Sequence, residues 1–241
     1  MTILRSTLFN FWFYGLTLLF SLAGCVMAVV VPRGPTPAWA ISIARAWAGL
    51  VLGGLRMICG TSWEVTGREH LPPEGAALIA SMHQSAFDTL VWLLLTPLPC
   101  YVLKRELIRM PVFGLMCRLT GMIAVDRGAG AGAIRSLFRG ADRALCEQRQ
   151  IVIFPEGSRM PPGQRGVVQP GIAALASRTG LPVIPVVTDS GRCWGKRAFK
   201  KLPGVIHVVI LPPIPGGLSR AELMPRLEAA FAQGDAALSR P

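Results

Sequence analysis

Residues 76–95 read AALIASMHQSAFDTLVWLLL, and within this one stretch the chain changes from strand to helix. The apolar run 76–81 has the length of a buried strand. Residues 86–95 are helix-like and stop before Pro97, with Ser85 placed as the N-cap and Asp88 three residues further on, a capping-box spacing. His83 and Gln84 form the turn between them. The polar pair His83 and Asp88 therefore sits at a strand-to-helix junction, where an α/β sheet presents its chemistry. Inside one regular helix, side chains five residues apart point roughly 140° away from each other. They meet only if His83 lies in the loop and Asp88 in the first helical turn. The carboxylate then accepts from Nδ1, fixes the tautomer and leaves Nε2 free as a base. On the pair alone, a plain helix cap is the competing reading.

Outward from this stretch, further strand-like runs cover 99–103, 121–125, 150–154, 182–187 and 204–210, with a short edge strand at 63–69. Helix-like runs cover 107–119, 130–148, 170–179 and 219–238. Strands alternating with helices predict the α/β class: a mixed, partly parallel sheet flanked by helices. No repeat or low-complexity linker divides it.

The amino-terminal part is different. Residues 6–32 hold no charge, enough to span a bilayer or lie deep in one leaflet, with Arg5 before them, Arg33 after them and aromatics at 9 and 11–14. Leu22-Ala-Gly-Cys25 looks like a lipoprotein cleavage box, but the apolar run continues as VMAVVV, so a retained anchor is expected. A second helical stretch, 38–59, carries a stripe of Ser42, Arg45, Gly49, Gly53 and Arg56, suited to a headgroup layer or to close packing on a neighbour. The expected division is a two-helix membrane anchor over 1–60 and a catalytic domain over 61–241.

Composition agrees. Apolar residues make up 51% of the chain and charged ones 16%, which favours membrane association, and the net charge of +12 calls for anionic headgroups or nucleic acid. The basic residues are scattered and no nucleic-acid motif accompanies them, so no nucleic-acid partner is expected. Six cysteines stand singly, as free thiols in a reducing compartment, and no metal site is expected.

A second polar block follows the apolar run 150–154: Phe154-Pro-Glu156-Gly157-Ser158-Arg159. It puts backbone N–H groups, a hydroxyl and a guanidinium at a strand's end, and Arg159 offers the planar fork that suits a phosphate. Glu156 is expected to orient Arg159 or to bond a glycerol hydroxyl. Trp194-Gly-Lys-Arg197 with Lys200 and Lys201 forms a basic loop, read either as solvated or as attracting a headgroup or coenzyme phosphate. His70 reads as a turn residue and His207 as structural.

His83-x4-Asp88 together with Phe154-Pro-Glu-Gly-Ser-Arg159 resembles the glycerolipid acyltransferase family, in its 1-acyl-sn-glycerol-3-phosphate (lysophosphatidate) acyltransferase branch. Gly121-Met-Ile-Ala-Val-Asp-Arg127 and Leu181-Pro-Val-Ile-Pro-Val186 match two further blocks in the family's order, and Lys104-Arg-Glu-Leu107 with Pro111-Val-Phe-Gly114 matches the segment between the first two. The match spans about residues 60–215. The resemblance implies a glycerolipid acyltransferase-like fold and acyl transfer from acyl-CoA or acyl-carrier protein to lysophosphatidate, with no bound cofactor. It implies His83 as base, Asp88 as its partner, Arg127 and Arg159 on the acceptor's phosphate, and Pro185 on the acyl-donor side. Lys104 or N–H groups near Gly157 are the expected oxyanion donors. The chain has no G-x-S-x-G elbow, so direct attack is expected without an acyl-enzyme.

Ser158 stands where threonine is commoner, and Val168-Gln-Pro-Gly171 lacks a lysine frequent there; Arg165 and Arg178 are the nearby cations expected to compensate. Membrane phospholipids are the remaining expected partners, in a bacterial inner membrane with the catalytic part toward the cytoplasm. The rival readings are acylation of another lysolipid, such as a lyso-ornithine lipid, and a non-catalytic lipid-binding protein.

Overall fold

The structure is a computed structural model that describes residues 1–31, 37–110 and 113–238. Arg33, and the Pro111-Val112 part of the intermediate segment, lie outside the described residues.

The three strands that read as unbroken apolar runs became the middle of the sheet. β1 is Thr61–Thr66, β2 Ala77–Ser81, β3 Pro99–Lys104, β4 Ile123–Val125, β5 Gln150–Ile153, β6 Val183–Thr188 and β7 Gly204–Ile210. Their order across one seven-stranded sheet is β1-β7-β6-β2-β5-β3-β4. Every residue of β2, β5 and β6 is buried, as parallel strands covered on both faces require. All neighbours are parallel except β6 and β7, which run antiparallel. The sheet is thus mixed, as expected. β1 lies at one edge, as expected, with β4 at the other, and it stops before Gly67 (φ +76°), where a β-carbon would meet the Ile210 carbonyl oxygen at 1.9 Å.

The helices are α1 (Thr2–Val30), α2 (Ala38–Gly54), α3 (Phe87–Leu95), α4 (Arg105–Arg109), α5 (Phe113–Leu119), α6 (Ala131–Cys146), α7 (Gly171–Thr179) and α8 (Arg220–Leu238). One expectation is corrected here and one, the helical stretch 38–59, is refined. The run 107–119 is two helices, because Met110 precedes a proline and takes an extended conformation (φ −65°, ψ 134°). The second anchor stretch is α-helical only to Gly54 and ends in a π-helical turn, Leu55–Cys59, stopped by left-handed Gly60.

The alternation of strand side chains sorts the core into two layers. Leu78, Ala80, Ile151, Ile153, Val183 and Val187 face α6, α7 and α8. Ile79, Val152, Ile184 and Val186 face the other way, toward α3 and also toward Phe9 of α1 and Val51, Leu52 and Leu55 of the second stretch. The two amino-terminal helices are long and apolar enough to cross a membrane, and both also contribute to this inner core. Arg45 leaves the expected cationic stripe: its guanidinium donates to the carbonyls of Leu93 (3.0 Å), Thr96 and Pro97 (2.9 Å), capping the carboxyl end of α3. Of the two uses the stripe allowed, Arg45 serves packing.

Candidate active site

The turn that leads from β2 into α3 folds around one carboxylate oxygen. Asp88 Oδ2 accepts from the backbone N–H of Gln84 at 2.7 Å and of Ser85 at 2.8 Å, and lies 3.1 Å from His83 Nδ1. Ser85 Oγ in turn accepts from the N–H of Phe87 at 3.1 Å. The expected N-cap is corrected by one residue: α3 starts at Phe87 with Ala86 in the N-cap position, and Ser85 stands just before it, its hydroxyl on the Phe87 N–H and its own N–H on Asp88. His83 stands before the helix and Asp88 within its first turn, the arrangement in which the pair can meet. The Asp88 side chain is 2% exposed and that of His83 12%, so the carboxylate is hidden and the imidazole edge remains accessible. With Nδ1 turned to Asp88 Oδ2, the ring's other nitrogen, Nε2, is left free of the carboxylate.

Aromatic rings set the plane of the His83 imidazole. His83 stacks on Phe154 with centroids 4.1 Å apart, and Phe154 stacks on Tyr101, whose hydroxyl donates to the Thr89 carbonyl at 2.8 Å. Burial pushes the Tyr101 phenol well above its ordinary pKa, so it stays a neutral donor.

Glu156 has a different task from the one expected of it. Its Oε2 accepts from the His83 backbone N–H and its Oε1 from that of Gly166, both at 2.9 Å. Nearly buried, with both oxygens engaged by amides, it fastens the His83 loop to residues 155–166 and does not orient Arg159. Gly157 adopts φ +73°, and a β-carbon there would lie 2.8 Å from Arg127 Nη1, so the guanidinium of Arg127 packs on the glycine and donates to its carbonyl. The Gly157 N–H donates to Phe154 O, which removes it from the expected oxyanion donors.

His83 opens into a cavity of about 590 Å³, within the range of small-molecule sites. Its wall brings together Lys104, Arg127, Gly157, Ser158 and Arg159 from the expected set. Arg159 is partly buried; burial lowers its pKa, the charge of Asp88 opposes that, and nearby Arg197 adds to it. Pro185 is not in the wall. It pairs with Ala80 inside the sheet and shares the face of Val183 and Val187, turned toward α8 and away from the cavity. Arg165 and Arg178 are also elsewhere, paired with Asp235 at 2.9 Å and Asp142 at 2.6 Å.

Sequence reasoning left several participants out of the site. Gln84 Oε1 accepts from the Gly191 N–H at 3.1 Å, tying the His83 loop to the turn after β6. Lys196 and Arg197 lie in the cavity wall, as do Thr17, Phe20, Ile43 and Trp47 of α1 and α2. The basic loop was visible as a motif, but nothing local placed it beside His83. His207 is held as a structural residue would be, its Nδ1 3.0 Å from Asp189 Oδ2.

Fold and cavity define a class: an α/β acyltransferase with an apolar helical hairpin folded onto its inner core. The family model described as Acyltransferase matches residues 62–189. The chain belongs to that family. It is 34% identical over 220 residues to the 1-acyl-sn-glycerol-3-phosphate acyltransferase of Pseudomonas aeruginosa, covering 90% of this chain and 85% of that one. It is 32% identical over 170 residues to the human 1-acyl-sn-glycerol-3-phosphate acyltransferase alpha, covering 69% of this chain and 59% of the human one. The crystal structure of the 1-acyl-sn-glycerophosphate (LPA) acyltransferase PlsC from Thermotoga maritima superposes with a TM-score of 0.79 at 21% identity, covering 100% of this chain and 99% of that one. That likeness extends to the whole fold, including the two amino-terminal helices.

Proposed function

We propose that this acyltransferase moves an acyl chain from an acyl thioester, on coenzyme A or an acyl-carrier protein, to the sn-2 hydroxyl of lysophosphatidate, giving phosphatidate and a free thiol. One observation carries the reading: His83 Nδ1 stands 3.1 Å from Asp88 Oδ2 in the wall of a cavity that Arg127 and Arg159 also line. The activities for which the relatives are named support the choice of acceptor.

His83 Nε2 takes the hydroxyl proton as the oxygen attacks the thioester carbonyl, and Asp88 stabilises the imidazolium that forms. The tetrahedral intermediate expels the thiolate, which recovers the proton from His83. Lys104 stabilises the oxyanion from the same wall. Arg127 and Arg159 hold the acceptor's phosphate and so keep its hydroxyl beside the base. The apolar wall from α1 and α2 accepts hydrocarbon, and the thioester is a co-substrate, so no bound cofactor is called on. The setting we assign is a bacterial inner membrane, with the catalytic part on the cytoplasmic side among membrane phospholipids.

The test is an acyl-transfer assay on the purified protein with a panel of lysolipids and both donor types. Lysophosphatidate should be the best acceptor; preference for a lysolipid without phosphate would refute the reading. His83→Ala should lower kcat by about 10³-fold or more, the scale of losing a general base together with its orientation. Arg159→Ala should raise the acceptor KM by about 10–100-fold, the loss of a charge-assisted contact. An unchanged acceptor KM would remove Arg159 from the phosphate site.

A further inference from the structure

The loop 193–202 between β6 and β7 is gripped at both ends by α1. At one end Trp194, buried, stands edge-on to Phe9 and Phe13 at centroid distances of 5.3 and 5.7 Å. At the other, Lys201 is 4% exposed: its N–H donates to Ser6 Oγ at 2.9 Å and its Nζ to Asn10 Oδ1 at 2.6 Å, and the Ala198 and Phe199 carbonyls take further bonds from that ammonium. Between these anchors, Gly195 to Ala198 close a tight turn through a 3.1 Å backbone bond. Its two central residues are Lys196 and Arg197. Arg197 sits at φ +55°, left-handed for a residue with a β-carbon, which costs of order 1–3 kcal/mol. A fixed, strained turn thus delivers two exposed cations to the cavity wall.

The charge of that wall is unbalanced. Lys104, Arg127, Arg159, Lys196 and Arg197 line it, and among the described residues that line it there is no carboxylate. No ion pair among the described residues holds Lys196 or Arg197. A phosphate monoester brings about −1.5 to −2 charges. Arg127, packed on Gly157, and Arg159, two residues beyond that glycine, suffice for one. The other cations come from a separate element, yet Arg197 lies near enough to Arg159 for their charges to act on each other. The surplus calls for a second phosphate in the same cavity.

We infer that Lys196 and Arg197 form a subsite for the phosphate of the acyl donor's phosphopantetheine arm, the group that coenzyme A and an acyl-carrier protein share. The inference rests on the acyl transfer proposed above. It gives the reaction two anion sites on two elements, so that acceptor and thioester enter separately and meet at His83.

The test uses the full chain in nonionic detergent and the variant Lys196→Gln/Arg197→Gln, which keeps the side chains polar and touches none of the core anchors, so its melting temperature should match the wild type. Binding of coenzyme A, 4′-phosphopantetheine, holo acyl-carrier protein and phosphate-free pantetheine is measured by calorimetry. The variant should bind the phosphate-bearing probes about tenfold or more weakly, the loss of a charge-assisted contact, with pantetheine unaffected. The donor KM should rise to match while the acceptor KM stays within about twofold. A shift with coenzyme A or with the carrier protein supports the subsite, and the donor that shifts identifies the source. Equal affinities in wild type and variant overturn it, as does a rise in the acceptor KM alone. A loss seen only on vesicles of anionic lipid assigns the pair to headgroups and overturns it too. Phosphate-dependent binding that needs Lys196 and Arg197, in a protein that does not acylate lysophosphatidate, keeps the subsite and refutes the acceptor.

Discussion

The backbone N–H groups of His83 and Gly166 each occupy one oxygen of Glu156. A carboxylate can serve both; glutamine cannot, because its NH2 would face one of those N–H groups. Glu156→Gln should therefore lower kcat about tenfold or more through the loosened base, while changing the donor KM little. Unchanged turnover would take Glu156 out of the support for His83. Burial also raises the Glu156 carboxyl above its ordinary 4.5, with its amide bonds opposing the rise. The folded state then keeps its proton to higher pH than the unfolded chain, so ionising Glu156 costs stability as pH climbs from 4.5 through the native value. Across that interval the melting-temperature difference should move in the variant's favour, and flatten above it. Sequence alone made the His83–Asp88 geometry legible, because cap spacing and chain direction are local. The work of Glu156 was not legible, since its partner Gly166 lies beyond the turn that contains it.

At the scale of elements, Arg45 shows what periodicity misses. Its place on a stripe with Arg56 was readable, but its bonds to the end of α3 join positions 48 to 52 residues apart. Arg45→Met leaves those carbonyls short of a donor and should lower the melting temperature by about 3–10 °C, at about 1–3 kcal/mol for a buried unmet group. A shift under 1 °C would mean that solvent reaches the carbonyls. Most strands and helices were legible because buried parallel strands are uniformly apolar and Pro and Gly mark their ends. The antiparallel β6–β7 pair was not: direction is decided by how the chain returns across the sheet, and the loop 193–202 carries no signal of it. Pro185 misled for a related reason, since only the register of β6 on β2 decides which face it shares.

Over the whole molecule, the two apolar helices are part of the core as well as being long enough to cross a membrane. Phe9, Val51, Leu52 and Leu55 are fully buried in the core that also covers α3 and the inner face of the sheet. Removing residues 1–60 strips one side of that core. The truncated chain should lose cooperative unfolding and bind hydrophobic dyes, not simply become a free enzyme. A soluble, cooperatively melting fragment would show that the two parts are separable.

The tie between Ser6 and Lys201 spans 195 residues of sequence. At about 5–20 residues per second of synthesis, some 10–40 s separate the making of one partner from the making of the other. Through that interval α1 can already pack on α2, Phe13 against Trp47 and Trp12 on the Leu50 carbonyl, but its contacts to Trp194 and Lys201 must wait. The first helix to be made is thus among the last elements to complete its contacts.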